Sequence, residues 1–132
     1  MKTKEVTICG KQVTLAYCYA TEIAYKDLAD EDMIDFIHHV IESVQNQKDP
    51  DTKRTIIAIH SCIFAFADAN TPDGQDVVTP ITLKQMMKEM TPAEMGIALF
   101  AILDLRKQFY KVSKEDEEEI RKETSGENQK NA

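Results

Sequence analysis

The sequence predicts an α+β fold that is mainly α, in which an N-terminal β-hairpin packs on a bundle of four to five helices and a charged C-terminal tail follows. Residues 4–17 alternate β-branched and polar side chains around a glycine. Residues 19–112 carry apolar side chains at helical spacing, separated by capping and turn signals. Residues 114–132 hold one large apolar side chain, Ile120, among charged and polar ones. We therefore predict one folded domain over residues 1–113 and a charged, partly disordered tail over residues 114–132.

The hairpin is predicted from two short alternating segments on either side of Gly10-Lys11. Glycine at the first position of a two-residue turn accepts the positive φ that a tight hairpin requires. Since alternate side chains of a strand share a face, five apolar residues are expected to face the helices: Val6, Ile8, Val13, Leu15 and Tyr17. An isolated hairpin is only marginally stable in water, so this one is expected to pack on the helices.

The first two helices are predicted over residues 19–29 and 30–45. The first is expected to bury a stripe of Ile23, Ala24 and Leu28. Asp30 is the predicted N-cap of the second, because a side-chain oxygen there satisfies a free backbone N–H. Apolar residues at helical spacing form its predicted inner face: Met33, Ile34, Ile37, Val40, Ile41 and Val44.

The third helix, predicted over residues 50–68 with Pro50 in its first turn, is apolar around most of its circumference. A helix of this kind is typical of the centre of a core. The loop at residues 70–76 is rich in turn-forming residues.

Two further helices are predicted over residues 82–90 and 92–112. Thr82 is the expected cap of the first, and Thr91-Pro92-Ala93-Glu94 matches a capping box for the second. The first half of the last helix is expected to be buried through Ile97, Ala98, Leu99, Phe100, Ala101, Ile102 and Leu103.

Charge and hydropathy argue against two classes of partner. The formal net charge of −7 disfavours binding to the phosphate backbone of nucleic acids. The most apolar run, residues 95–105, is shorter than the roughly 20 residues needed to cross a bilayer. No apolar segment typical of a signal peptide precedes the first strand. The sequence thus predicts a soluble cytoplasmic protein that binds neither nucleic acid nor membrane.

Catalytic and cofactor signatures are not recognisable in the sequence. The glycines are isolated, so no phosphate-binding loop is evident, and no nucleophile motif occurs. His38 and Glu42 lie four residues apart, and His60 lies one helix away, so a metal site of these three residues can be drawn. Metal-binding helices usually carry their ligands at repeated close spacing, as in H-E-x-x-H. This chain shows no such repeat of metal ligands. We therefore predict a protein that is not an enzyme and carries no cofactor.

A methionine cluster is the most suggestive candidate for a binding site. The two predicted helices that meet at Pro92 carry four methionines: Met86, Met87, Met90 and Met95. Methionine adapts to varied apolar partners, so such a cluster can form a groove for an amphipathic helix. The alternative is that these side chains are ordinary core residues.

The order of elements and residues 17–28 (Tyr-Cys-Tyr-Ala-Thr-Glu-Ile-Ala-Tyr-Lys-Asp-Leu) resemble the tail assembly chaperones of long-tailed bacteriophages and prophages. The resemblance spans most of residues 3–120 in architecture. It implies a non-enzymatic helper in the bacterial host's cytoplasm that coats the tape-measure protein, recruits tail-tube subunits and readily forms homo-oligomers. No single site residue follows from the resemblance, because the family binds through surfaces.

Two other interpretations remain open at this point. The chain is alternatively an adaptor or regulatory binding module unrelated to phage tails, or a small metal-binding protein using His38, Glu42 and His60. A tape-measure gene directly downstream would favour the chaperone, and metal analysis of the purified protein would test the third interpretation.

Overall fold

The computed structural model describes residues 1–111 and 121–122, and within them one antiparallel hairpin is followed by five helices. The elements are β1 (Thr3–Ile8), β2 (Lys11–Ala16), α1 (Tyr19–Ala29), α2 (Met33–Gln45), α3 (Thr52–Ala69), α4 (Leu83–Glu89) and α5 (Pro92–Tyr110). This architecture confirms the predicted α+β, mainly α fold. The predicted end of the last helix at Val112 and the tail over residues 114–132 lie outside this description, apart from residues 121–122.

The hairpin turn lies one residue earlier than predicted. Ile8 pairs with Lys11, so Cys9 and Gly10 are the two turn residues. Both have positive φ, 53° and 75°, which is the requirement of a type I′ turn. The predicted inward face is confirmed, since all five of its residues are buried: Val6, Ile8, Val13, Leu15 and Tyr17.

Helix α3 forms the centre of the domain, as predicted. It contacts β2, α1, α4 and α5, and half of its 18 residues are buried. Its start differs from the prediction, because the helix begins at Thr52 and Pro50 precedes it. The side chain of Asp51 is the N-cap and accepts the N–H of Arg54 at 2.9 Å. The Asp51 carboxylate accepts the free N–H of Arg54 in the first turn, which a proline side chain, having no acceptor, cannot do.

The junction between α1 and α2 was also misplaced by the sequence pattern. Asp30 ends α1 in a left-handed conformation with φ 57°, and Asp32 precedes the first residue of α2. Aspartate tolerates the left-handed region better than most residues, which suits it to this connection. The prediction of Asp30 as an N-cap was therefore wrong.

The buried face of α1 differs from the predicted stripe. Thr21 and Tyr25 face the core, whereas Ile23 is 62% exposed and Leu28 is 50% exposed. The Thr21 hydroxyl donates to the carbonyl of Ala16 and accepts the N–H of Cys18, joining β2 to α1. The two hydrogen bonds of its hydroxyl offset the cost of removing Thr21 from water, so this polar side chain can face the core while Ile23 and Leu28 lie outside.

Helix α2 buries Met33, Ile37 and Val40 as predicted, but turns Ile34, Ile41 and Val44 to the surface. Phe36, which the prediction missed, is fully buried, with its ring centroid 5.5 Å from that of Tyr25. Aromatic pairs at this separation are favourable beyond the area that they bury. The helix is therefore rotated toward Phe36 relative to the predicted face.

The signals that begin α4 and α5 are confirmed. The Thr82 hydroxyl accepts the N–H of Gln85, and Thr91 forms the predicted capping box with Glu94. The inner face of α5 consists of Ala98, Ala101, Ile102 and Leu105.

The expected burial of Ile97 and Phe100 is wrong, because they are 63% and 74% exposed. Two small alanines let one face of α5 approach the core, and the opposite face is left in solvent. In the part of the chain that the structure covers, no helix combines the length and the apolar character needed to cross a membrane.

Candidate functional site

An apolar groove lies where α4 and the start of α5 meet the start of α3. It encloses about 430 Å³. Its lining includes all four methionines of the predicted cluster, Met86, Met87, Met90 and Met95. The other lining residues are Asp49, Pro50, Thr52, Thr55, Ile56, Pro92, Gly96 and Leu99. We call this the methionine groove. The structure thus brings the predicted partner-binding residues to one place.

The four methionines differ in exposure, and so in what they contribute. Met86 is 1% exposed and belongs to the hydrophobic core. Met87, its neighbour on α4, is 62% exposed. Met90 and Met95 are partly buried against the core. Met86 therefore forms the floor of the groove, and Met87 presents the most accessible apolar side chain.

The hairpin turn holds the two helices that carry the methionines. The Glu94 carboxylate accepts the backbone N–H groups of Cys9 and Gly10, each at 3.1 Å, and that of Thr91 at 2.9 Å. Hydrogen bonds from the backbone of Thr91, Gly10 and Cys9 lower the pKa of Glu94, since they favour the charged form. The Cys9 thiol also lies 3.7 Å from the carbonyl oxygen of Gln85 on α4. The groove is therefore anchored to the β-hairpin.

The metal site considered for His38, Glu42 and His60 is not assembled in the structure. His38 and Glu42 are exposed on α2, and His60 is half-buried on α3. Among residues 1–111 and 121–122, no group of three or more His, Cys, Asp or Glu side chains is placed to hold a metal ion. The adjacent His39 instead accepts the N–H of Asp51 at 2.8 Å, so it supports the start of α3.

The buried cysteine lacks the surroundings of a reactive thiol. Cys62 is fully buried in the core, and burial raises the pKa of its thiol. A nucleophilic cysteine needs a lowered pKa and access to solvent. Cys9, Cys18 and Cys62 are all free thiols in the structure.

Stability is expected to depend on the protonation of His60 in mildly acidic solution. Burial lowers its pKa below the ordinary 6.5, and the backbone of Ile81 offsets this only in part. Below pH 6.5 the unfolded chain binds a proton that the folded chain resists, so the free energy of unfolding should fall. The loss should stay below about 1.4 kcal/mol per pH unit.

Urea unfolding at pH 7.5 and pH 5.5 measures this effect. A His60→Gln variant should show a smaller difference between the two pH values than the parent protein. Equal differences in parent and variant would contradict a role for His60.

Sequence reasoning missed a second accessible apolar surface. It lies between α1 and α3 and contains Ile23 and Leu28, which the helical pattern had assigned to the core. No sequence signal distinguishes an outward apolar stripe from an inward one when the opposite face buries Thr21 and Tyr25. The hydrogen-bond partners of those two hydroxyl groups allow that face to be buried.

Fold and site together define a mainly helical α+β domain with a methionine-lined apolar groove. No family model, curated protein sequence or solved structure gives a significant match to this chain. Its resemblance to tail assembly chaperones therefore stays a prediction.

Proposed function

We propose that this chain is a non-enzymatic assembly chaperone whose methionine groove binds an apolar helical segment of a partner protein. The observation that carries the proposal is the convergence of Met87, Met90 and Met95 above the buried Met86 in one groove. Unbranched, polarizable methionine side chains can repack around apolar residues of different shapes. A groove of this kind suits the anchor residues of an amphipathic helix.

The proposed partner follows from the resemblance to phage and prophage tail assembly chaperones. On that basis the bound segment belongs to a tape-measure-like protein, and the complex helps to recruit tail-tube subunits in the cytoplasm of the bacterial host. A long helical protein with an apolar stripe needs that stripe covered until it assembles, because large exposed apolar surfaces promote aggregation. Homo-oligomers of the chaperone would multiply the number of grooves along such a partner.

Co-expression with a tape-measure-like protein tests the proposal through a Met87→Glu variant. The wild-type chain should keep that protein soluble and be recovered with it. Met87→Glu should weaken the complex at least about tenfold, because a charge then faces an apolar anchor. Met86 is left unchanged, since a charge at a side chain that is 1% exposed would unfold the domain.

Val78→Glu provides the matched control. Val78 is 81% exposed and lies outside the groove, so this variant adds the same charge at an accessible apolar side chain. It should bind like wild type. Equal binding by the two variants, both folded by circular dichroism, would show that the groove is not the binding site. Failure of the wild-type chain to bind any tape-measure-like protein, with retained binding of another helical partner, would instead favour an adaptor outside phage tails.

A further inference from the structure

A second groove lies between α1 and α3. It encloses about 470 Å³. Its lining consists of Ala20, Ile23, Ala24, Asp27, Leu28, His60, Phe64 and Asp68. It shares no lining residue with the methionine groove. We call it the α1–α3 groove.

The shape of the α1–α3 groove comes from the spacing of small and large side chains on α1. Ala20 and Ala24 lie four residues apart and leave a trough beside α3. Ile23 and Leu28 are 62% and 50% exposed, although both are large and apolar. From Ala20 to Leu28 the trough runs for about 12 Å, which corresponds to two turns of a helix lying along it.

The rim of the α1–α3 groove is acidic. Asp27 and Asp68 are its charged lining residues, and neither lysine nor arginine lines it. Within residues 1–111 and 121–122, neither carboxylate has an ion pair or a side-chain hydrogen bond. His60 is half-buried, and burial lowers the pKa of its imidazole, so it adds no positive charge at neutral pH. An occupant with cationic side chains would complement this rim.

We propose that the α1–α3 groove docks an amphipathic helix whose apolar stripe is flanked by lysine or arginine residues. Ile23, Leu28 and Phe64 contact the stripe, and Asp27 and Asp68 pair with the flanking cations. A second copy of this chain is a poor occupant, because a symmetric contact through this groove would bring two identical acidic rims together. An anionic membrane surface is repelled for the same reason.

A labelled synthetic helix tests the proposal with the full chain. The basic probe is a peptide of about 15 residues with leucines at positions i, i+4 and i+7 and lysines at both ends. The acidic probe has glutamates in place of those lysines. Fluorescence anisotropy should show that the basic probe binds at least about tenfold more tightly than the acidic one. Replacing both acids, Asp27→Lys with Asp68→Lys, should reverse the preference.

The apolar contact is tested by Ile23→Asp, with Val44→Asp as its matched control. Val44 is 65% exposed on α2 and lies outside the groove, so both variants place a charge at an exposed aliphatic position. Ile23→Asp should weaken binding of the basic probe about tenfold or more, and Val44→Asp should leave it unchanged.

Three kinds of outcome overturn the proposal. The first is the absence of the charge effect, seen either as equal binding of the two probes by the wild-type chain or as an unchanged preference after both acids are replaced. The second is a dimer in sedimentation that Ile23→Asp dissociates, since a second copy then occupies the groove. The third is binding to vesicles of anionic phospholipid that Ile23→Asp abolishes. The charge-reversal variant keeps the test decisive if Ile23→Asp fails to fold.

Discussion

An Ile59→Ala variant is expected to lose about 2–5 kcal/mol in free energy of unfolding. Ile59 is 0% exposed and lies on α3, the helix that contacts β2, α1, α4 and α5. Alanine removes three buried carbon atoms and leaves a cavity that several rigid elements surround, so the site cannot easily collapse. Urea unfolding followed by circular dichroism measures the loss.

Ile97→Ala is the matched control, because the same atoms are removed from a helix position that is 63% exposed. Its free energy of unfolding should change by no more than about 0.5 kcal/mol. Similar losses in the two variants would mean that α3 is not the centre of the core.

Removing Arg54 is expected to lower the free energy of unfolding by about 1.5–3 kcal/mol. Its guanidinium donates two hydrogen bonds to the Glu31 carboxylate, at 2.7 and 2.9 Å, and both side chains are mostly shielded from solvent. The hydroxyl of the buried Tyr25 donates to the same carboxylate. Arg54→Ala leaves Glu31 partly desolvated without its cation, and it loosens the connection between α1, α2 and α3.

The pH dependence of stability gives an independent readout of this network. Burial raises the pKa of Glu31, but hydrogen bonds from Arg54 and Tyr25 outweigh burial, so the pKa lies below the ordinary 4.5. The folded chain thus holds this carboxylate ionised where the unfolded chain protonates it. The resulting stabilisation is complete well above pH 4.5 and is lost as the pH falls through the folded pKa. Arg54→Ala should flatten this part of the stability curve.

Lys26→Ala is the control for a simple loss of charge. Lys26 forms an ion pair with Asp32 at 2.8 Å, but both side chains are about 60% exposed. Exposed pairs contribute little because water and salt screen them, so this variant should unfold like the parent. A loss as large as that of Arg54→Ala would refute the special role of the shielded network.

The two grooves place different requirements on their occupants. The buried side chain of Met86 forms the floor of the methionine groove, and Glu94 anchors this groove to the hairpin. The α1–α3 groove has a shallow alanine trough and an acidic rim. The two grooves share no lining residue, but Leu28 of one and Met87 of the other line a common smaller pocket. Ile23 does not line that pocket, so Ile23→Asp should leave binding at the methionine groove intact.

Local signals in the sequence determined the order and type of the elements. The capping hydroxyl groups of Thr82 and Thr91 act on backbone groups within three residues, so their effect needs no tertiary context. The alternation around Gly10 likewise predicted the hairpin and its buried face. The apolar residues around most of α3 predicted its central place, because in water such a helix is stable only where neighbouring elements cover it. The methionine cluster was also visible in the sequence, as four residues around Pro92.

Only the tertiary structure decided which face of each remaining helix is buried. Periodicity ranks positions by hydrophobicity, but burial of Thr21 depends on the carbonyl of Ala16, and burial of Tyr25 depends on Glu31. These acceptors lie outside α1, in β2 and in the connection between α1 and α2, so the helical periodicity of α1 does not report them. Once the two hydroxyl groups are satisfied inside, Ile23 and Leu28 must face outward, and the α1–α3 groove is the result. The turn at Cys9-Gly10 was decided in the same way, because Glu94, 85 residues away from Cys9, holds its backbone N–H groups.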